Sequence, residues 1–251
     1  LVVTAIGWNY LSIPGADDWS EDELRLLASL SLDALPPLSP DPSNRVADDP
    51  AAAELGHRLY FDTRLSSNGQ VACATCHKPE LMFTDGLPLA VGVGIGPVHT
   101  PSLVGLSYSP WFYWDGRKDS QWAQALAPLE AEHEHATDRI QLLQLLSTDS
   151  DYRVMYEEIF GELPAVSNLP ETGTPEGDEA QQANWNTLDT GTQRAVSEFF
   201  ANLGKAIAAY ERKIMPGPTP FDEYIAQLST DPAEPKALSN TEIAGLRIFI
   251  D

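Results

Sequence analysis

The segment Cys73-Ala74-Thr75-Cys76-His77 constrains this chain more than any other feature. Two thiols three positions apart lie on one helical turn, where both can bond the vinyl groups of a single haem, and the adjacent histidine then reaches the iron. The motif therefore predicts one covalently attached haem c, with Cys73 and Cys76 as the thioether anchors and His77 as the iron ligand. Because haem is attached covalently outside the cytoplasm, the motif also predicts a periplasmic location.

Two other kinds of site use the same cysteine spacing. A structural zinc site needs four ligands, but the chain has only 2 cysteines and no histidine pair at zinc-finger spacing. A thioredoxin-like redox pair follows a strand in a βαβ unit, and strand signals in this chain are few. Haem attachment therefore explains the motif better than either alternative.

The composition is strongly acidic, with 37 Asp and Glu residues against 15 Lys and Arg residues and a formal net charge of −22. An acidic surface repels nucleic-acid phosphates and anionic membranes, and it favours either basic protein partners or solubility alone. We therefore expect no nucleic-acid partner. We also expect no membrane span, because no apolar stretch is long enough to cross a bilayer.

Helical patterns dominate the chain. A capping box at Ser20 to Glu23 predicts a first helix, and Asp49 followed by Pro50 predicts the start of a second. Apolar spacing predicts further helices at 119–130, 138–146, 150–160 and 193–213. The segment 163–186, rich in Pro, Glu, Thr and Gly, is predicted to be a surface loop or a poorly ordered insertion.

One internal similarity suggests a repeat. The segment GHRLYFD at 56–62 resembles GLRIFID at 245–251, and the second copy also follows a capping box, at Ser239 to Glu242. Two ordinary amphipathic helices could share such a short pattern by chance. If the repeat is real, a second haem motif would begin just beyond residue 251.

The group opposite His77 decides between two functions, because a strong sixth ligand makes haem an electron carrier and an open position makes it a peroxidase site. No residue stands out as that ligand. Met82 is too close to His77 in the sequence to reach the opposite face, and the other methionines are typical of helix packing. Met155 and Met215 are these helix-packing methionines, and His57 is interpreted as structural, so His99, His133 and His135 remain as possible distal groups.

Acidic residues follow the segment WDGR at 114–117. A peroxidase transfers a proton between the two oxygens of peroxide, which requires a carboxylate near an open iron. Glu134 and Glu130 are candidates for that role, with Gln124 close by in the sequence. Composition alone favours a solvated acidic stretch at 130–135 instead.

Taken together, these residues resemble the bacterial di-haem cytochrome c peroxidase family, which includes the MauG-like enzymes. The likeness is strongest from about residue 55 to 139 and resumes from 202 to 251. Its landmarks in order are LGHRLYFD at 55–62, LS at 65–66, the haem motif, FTDG at 83–86, TPSL at 100–103, WDGR at 114–117 and QA at 124–125.

The resemblance implies two haems in two cytochrome-c-like helical domains, of which one reacts with peroxide and the other supplies electrons or stores an oxidising equivalent. It implies that His77 binds the peroxide-reactive haem, that Glu134 and Gln124 are its distal acid–base glutamate and the neighbouring glutamine, and that Trp114 lies between the haems. The implied partners are hydrogen peroxide and an electron-donor cytochrome or cupredoxin, or an oxidisable protein substrate.

The chain departs from the family pattern at three places. Val98-His99 replaces the family's Arg-Asn, whose asparagine helps to hold calcium between the domains, so calcium is a doubtful cofactor. The loop 86–98 has no histidine, whereas family members that need reductive activation carry a distal one there, which predicts an always-open site as in the MauG-like branch. The second C-x-x-C-H motif is missing, so we expect a fragment that ends early in the second domain.

The sequence thus predicts a mostly α fold with an N-terminal arm at 1–45, a cytochrome-c-like haem domain at 46–225 and the start of a second haem domain at 226–251. The predicted function is that of a periplasmic haem c peroxidase of the MauG-like type. The alternative is an electron-transfer c-type cytochrome with a six-coordinate haem and no peroxidase activity.

Overall fold

The computed structural model describes residues 19–230 and 237–250. Within these ranges the chain is mostly helical and has no β-strand, only three isolated antiparallel bridges, so the predicted mostly α fold is confirmed. The α-helices are α1 (Glu21–Leu30), α2 (Pro50–Phe61), α3 (Cys73–Cys76), α4 (Gln121–Glu130), α5 (Arg139–Thr148), α6 (Ser150–Phe160), α7 (Glu179–Asn186), α8 (Thr190–Glu211), α9 (Pro220–Thr230) and α10 (Asn240–Ile250).

The chain divides into two compact units. The larger unit spans Leu38–Met215, and the smaller unit combines the described residues of Leu1–Pro37 and Pro216–Asp251. These bounds differ from the predicted domains at two places: 38–45, predicted in the N-terminal arm, joins the larger unit, and 216–225, predicted in the haem domain, joins the smaller one. Assignment of 226–251 to a second haem domain remains a prediction.

Helix α8 runs through the core of the larger unit and packs against α2 and α4. Glycines permit both close crossings. A Cβ on Gly56 of α2 would lie 1.9 Å from the Ala206 carbonyl oxygen, and one on Gly204 would lie 2.4 Å from the Trp122 carbonyl oxygen. Side chains from six helices fill the surrounding core, including Leu55, Leu59, Leu129, Ile140, Leu143, Tyr156, Trp185, Phe199, Leu203 and Ile207.

Side-chain caps set where several helices begin, as the sequence indicates. The Asp49 carboxylate accepts a hydrogen bond of 2.8 Å from the Ala51 amide at the start of α2, and Asp138 caps α5 in the same way. The capping box of Ser20 and Glu23 opens α1. These caps satisfy backbone N–H groups that the first helical turn leaves without partners.

The prediction for 163–186 is wrong at its C-terminal end. Helix α7 occupies Glu179–Asn186, begins with a capping box of Asp178 and Gln181, and buries Trp185. The Arg139 guanidinium lies 5.4 Å from the centre of the Trp185 ring. The polar composition of the whole segment concealed this short helix, which one aromatic side chain attaches to the core.

The smaller unit has its own core of Trp19, Leu27, Tyr224 and Ile243, contributed by α1, α9, α10 and the residue preceding the first cap. The Trp19 indole N–H donates to the Tyr224 hydroxyl at 2.7 Å. The predicted capping box before α10 is present, since the Ser239 amide donates to Glu242 at 2.7 Å. Over the described ranges, no helix is both long and apolar enough to cross a bilayer.

Candidate haem-binding site

The two cysteines of the motif lie on α3, a single helical turn. The Ala72 amide donates to the Thr75 hydroxyl at 2.9 Å, and the His77 amide donates to the Cys73 carbonyl at 2.8 Å. Neither thiol forms a disulfide. Both cysteines and His77 line the same cavity, so one turn presents two thiols and an imidazole to a common space.

The imidazole of His77 is oriented by two backbone carbonyls. Its Nδ1 lies 3.0 Å from the Phe83 carbonyl oxygen, and the Pro101 backbone also acts on the ring to raise its pKa. An N–H at Nδ1 leaves Nε2 with a free lone pair, the arrangement that binds haem iron. Burial lowers the pKa of His77, which keeps the ring neutral as a metal ligand requires.

Two adjoining cavities meet at Cys76, His77, Gln124, Pro128 and Glu134. They enclose about 470 and 800 Å³, including space open to solvent. The larger cavity has mainly apolar walls, formed by Ala90, Pro97, Val98, Pro101, Leu103, Leu106, Phe112 and Trp114 among others. An apolar space with two thiols and one neutral imidazole on its wall fits a covalently attached haem.

Glu134 is a carboxylate on the wall of both cavities, in the turn after α4. Burial raises its pKa above the ordinary value, while His133 and Arg117 partly oppose that rise. His133 Nε2 lies 3.7 Å from Glu134 Oε1. Gln124, in the N-terminal half of α4, lines both cavities as well.

The backbone around Glu134 is fixed by a neighbouring loop. The Val93 amide donates to the Glu134 carbonyl at 2.8 Å, and the Gly94 amide donates to the His133 carbonyl at 3.0 Å. These two hydrogen bonds attach the turn to the loop that follows the haem motif. The backbone that carries the Glu134 side chain is therefore held in place from outside its own turn.

Glu130, the second predicted acid–base candidate, is committed elsewhere. Its carboxylate forms an ion pair with Arg139 at 2.8 Å, with both side chains largely buried. It does not line either of the two cavities. The structure therefore separates Glu134 from Glu130 by environment, whereas composition alone does not distinguish them.

Trp114 lies on the wall of the larger cavity with 60% of its surface exposed. Its indole N–H donates to the His99 carbonyl at 3.2 Å, and the two rings are 4.7 Å apart between centroids. His99 is the residue that replaces the asparagine of the family pattern. The larger cavity thus brings together Trp114, Gln124, Glu134, Cys76 and His77.

The candidate histidine ligands lie in different environments. His133 and His99 line the larger cavity. His135 is buried, with Nδ1 3.1 Å from the Leu65 carbonyl oxygen and Nε2 4.0 Å from Cys73 Sγ. The ring of His57 packs against other aromatic rings, those of Phe61 and Tyr210.

The three methionines do not line either cavity. Met82 is 63% exposed and Met215 is 39% exposed, whereas Met155 packs against the main core. Within 19–230 and 237–250, no group of three or more His, Cys, Asp or Glu side chains could hold a metal ion, so the zinc alternative lacks a ligand set there.

Glu211 is a buried carboxyl in the smaller cavity that was not among the predicted site residues. The Gln121 amide donates to it at 2.9 Å, and burial raises the pKa of Glu211 to about 7. A signal was present, since Leu203, Ile207 and Glu211 recur at four-residue spacing and so lie on one helix face. A glutamate on an apolar stripe indicates a buried polar group.

Known proteins similar to this chain share one family. A family profile described as di-haem cytochrome c peroxidase matches residues 50–230. The methylamine utilization protein MauG of Methylorubrum extorquens is 40% identical over 114 residues, which cover 45% of this chain and 32% of that protein. Cytochrome c551 peroxidase of Pseudomonas aeruginosa is 29% identical over 201 residues, which cover 79% of this chain and 47% of that protein.

Two solved structures share the fold. A MauG-like protein associated with microbial copper homeostasis superposes with a TM-score of 0.59 at 22% identity, covering 86% of this chain and 54% of that one. The diheme peroxidase BthA from Burkholderia thailandensis superposes with a TM-score of 0.59 at 21% identity, covering 81% of this chain and 47% of that one. These matches confirm the cytochrome-c-like fold. The chain spans between a third and a half of the length of the curated relatives described above.

Proposed function

The chain belongs to the di-haem cytochrome c peroxidase family, and from this premise we propose that it forms the peroxide-reactive haem domain of a periplasmic enzyme that reduces hydrogen peroxide. Membership of the family implies covalently bound haem c, here on Cys73 and Cys76 with His77 as the iron ligand. The observation that carries the proposal is the meeting of His77, Gln124 and Glu134 in one cavity.

In this proposal the residues of the cavity handle the protons of the reaction. When bound, the haem supplies the iron and the electrons that cleave the O–O bond. Glu134 accepts a proton from one oxygen of hydrogen peroxide and returns it to the other oxygen as that bond breaks. Gln124 orients the peroxide through its side-chain amide. One peroxide, two electrons and two protons then give two water molecules.

The electrostatics of Glu134 suit this role. Burial raises the pKa of Glu134, so its carboxylate gains a proton more readily than an exposed glutamate does. Proton acceptance requires the ionised form. We therefore expect the rate with peroxide to fall as the pH is lowered through a value above 4.5, the ordinary pKa of glutamate.

The electrons would come from a partner protein, either a small cytochrome or cupredoxin or an oxidisable protein substrate. The acidic charge of −22 favours a basic partner. We propose that Trp114 relays electrons from the partner protein to the cavity. Its ring is largely exposed, and it also lies on the cavity wall.

We further propose that α10 is the first helix of a second haem domain in the full-length protein. In the internal repeat, Ile248 and Phe249 correspond to Leu59 and Tyr60. The first pair is 79% and 75% exposed, whereas the second pair is fully buried. A haem domain formed around α10 would cover that exposed pair. Calcium remains doubtful, because His99 offers no oxygen ligand in its side chain.

The test compares Glu134→Gln with Glu132→Gln, an exposed neighbour, in rapid mixing of the ferric holoprotein with hydrogen peroxide. We expect the first variant to react about 100-fold or more slowly and the second to react like the wild type. Equal rates in all three proteins would contradict the role of Glu134. A fully low-spin, six-coordinate wild-type haem that does not react with peroxide would instead establish the electron carrier.

A further inference from the structure

We propose that Asp85 is a positioning residue for His77. Asp85 joins the two loops that orient the His77 imidazole, and its negative charge strengthens that imidazole as an iron ligand. The inference rests on the proposed haem-binding role of His77. Asp85 acts on the Nδ1 side of the imidazole, which faces the protein, whereas Glu134 and Gln124 lie on the cavity wall.

The first of the two loops returns to His77 by a tight turn. Met82 and Phe83 both adopt positive φ values, 55° and 58°. The Phe83 amide donates to the Lys78 carbonyl at 2.8 Å. This turn directs the Phe83 carbonyl at His77 Nδ1, 3.0 Å away. Asp85 follows two residues later, so its position is tied to that of the Phe83 carbonyl.

The second loop supplies the other carbonyl, that of Pro101. The residue before it, Thr100, is buried and donates its hydroxyl to Asp85 Oδ2 at 2.9 Å. Asp85 therefore closes a ring that runs from His77 through Phe83 and back through Pro101. A second hydrogen bond joins the same two loops, since the Ser102 hydroxyl donates to the Met82 carbonyl at 2.6 Å.

The carboxylate of Asp85 is itself buried, with only 6% of the residue exposed. Its other oxygen accepts from the Leu87 amide at 3.0 Å, so both of these donors are neutral groups. A negative charge in such surroundings is weakly screened. It favours positive charge on the imidazole and acts to raise the pKa of His77, against the effect of burial.

A more basic imidazole donates more electron density to iron and stabilises the ferric state over the ferrous state. Asp85 should therefore lower the reduction potential of the haem that His77 binds. The Thr100 hydroxyl joins the two loops, and the Asp85 carboxylate supplies the charge. Separate substitutions can therefore distinguish the positioning effect from the electrostatic effect.

The electrostatic part is tested by potentiometric titration of the holoprotein. Asp85→Asn keeps the shape and an acceptor for Thr100 but removes the charge. We expect the one-electron equilibrium to shift at least tenfold toward the ferrous form, which is about 59 mV. Asp151→Asn, which removes the same charge from an exposed position, should shift it much less. Equal shifts in the two variants would overturn the role of the charge.

The positioning part is tested with Thr100→Val, which keeps the charge and removes the hydroxyl. We expect faster hydrogen exchange of the His77 Nδ1 proton in the NMR spectrum, with Thr100→Ser restoring the wild-type rate. An unchanged exchange rate in Thr100→Val would overturn the joining of the loops. Neither readout needs turnover of peroxide, so failure of the peroxidase proposal would leave both measurements decisive.

Discussion

Gln121 donates its side-chain amide to the buried carboxyl of Glu211 at 2.9 Å, beside the cavity that Cys73 also lines. The Gln121 side chain is fixed in turn, because its oxygen accepts from the Ser107 hydroxyl at 2.9 Å. One neutral hydrogen bond compensates little for removal of a carboxylate from water. Burial accordingly raises the pKa of Glu211 to about 7, so the folded protein retains a proton there that the unfolded chain has lost.

Glu211 should therefore make the stability of the holoprotein depend on pH. Between an ordinary pKa of 4.5 and about 7, only the folded state holds this proton, so stability falls as the pH rises through that window. The loss is on the order of 3 kcal/mol and is complete above the folded pKa. Glu211→Gln should remove this slope in urea unfolding measured at pH 5 and pH 8. The exposed Glu198→Gln on the same helix should keep it.

Gly92 should be required for the position of Glu134. A Cβ at Gly92 would lie 2.7 Å from the carbonyl oxygens of both His133 and Glu134. Gly92→Ala should therefore displace the turn, slow the reaction with peroxide by at least tenfold and destabilise the fold by about 1–3 kcal/mol. Rapid mixing and urea unfolding measure the two effects. Gly217→Ala, whose Cβ would meet no atom within 4 Å, should change neither, and a similar rate in both variants would count against this packing.

Local sequence signals predicted much of the fold. Asp49 with Pro50, Asp138, and Ser20 with Glu23 mark helix starts because a cap is decided by a few adjacent residues. The missed helix α7 depends on Trp185, whose burial comes from packing against distant residues. Its polar neighbours gave no periodic apolar pattern to detect.

The motif residues of the site were predictable from spacing alone, but the residues of the cavity wall were not. The spacing of Cys73, Cys76 and His77 specifies its chemistry within one turn, whereas Gln124 and Glu134 came from resemblance to a family. The physical difference between Glu130 and Glu134 is an ion pair of Glu130 with Arg139, which the sequence does not reveal. The site assignments themselves remain predictions until the variants are measured.

Glu130→Gln should lower the stability of the fold and leave the rate with peroxide nearly unchanged, whereas Glu134→Gln should lower the rate. Removing the Glu130 charge leaves the Arg139 guanidinium buried without its partner, which typically costs about 3–5 kcal/mol. The rate with peroxide should stay within about twofold of the wild type, because Glu130 lines neither of the two cavities that His77 lines. Urea unfolding and rapid mixing of both variants supply the comparison. A large rate loss in Glu130→Gln with unchanged stability would reverse the assignment of the two carboxylates.

Gly56→Ala and Gly245→Ala should have opposite effects on stability, although the two glycines occupy matching positions in the internal repeat. At Gly56 a Cβ would lie 1.9 Å from the Ala206 carbonyl oxygen, so α2 and α8 must separate. Overpacking of this kind costs about 1–3 kcal/mol or more. At Gly245 a Cβ would meet no atom within 4 Å, and alanine should stabilise helix α10 by up to about 1 kcal/mol.

Separation of α2 from α8 should also reach the haem. The fully buried Tyr60 of α2 donates its hydroxyl to the His77 carbonyl at 2.9 Å, so a shift of α2 disturbs the backbone of the iron ligand. We expect Gly56→Ala to lower the melting temperature and to change the visible spectrum of the ferric haem. Gly245→Ala should leave that spectrum unchanged. Destabilisation of similar size in both variants would mean that loss of the glycine itself matters, because the close helix crossing is present only at Gly56.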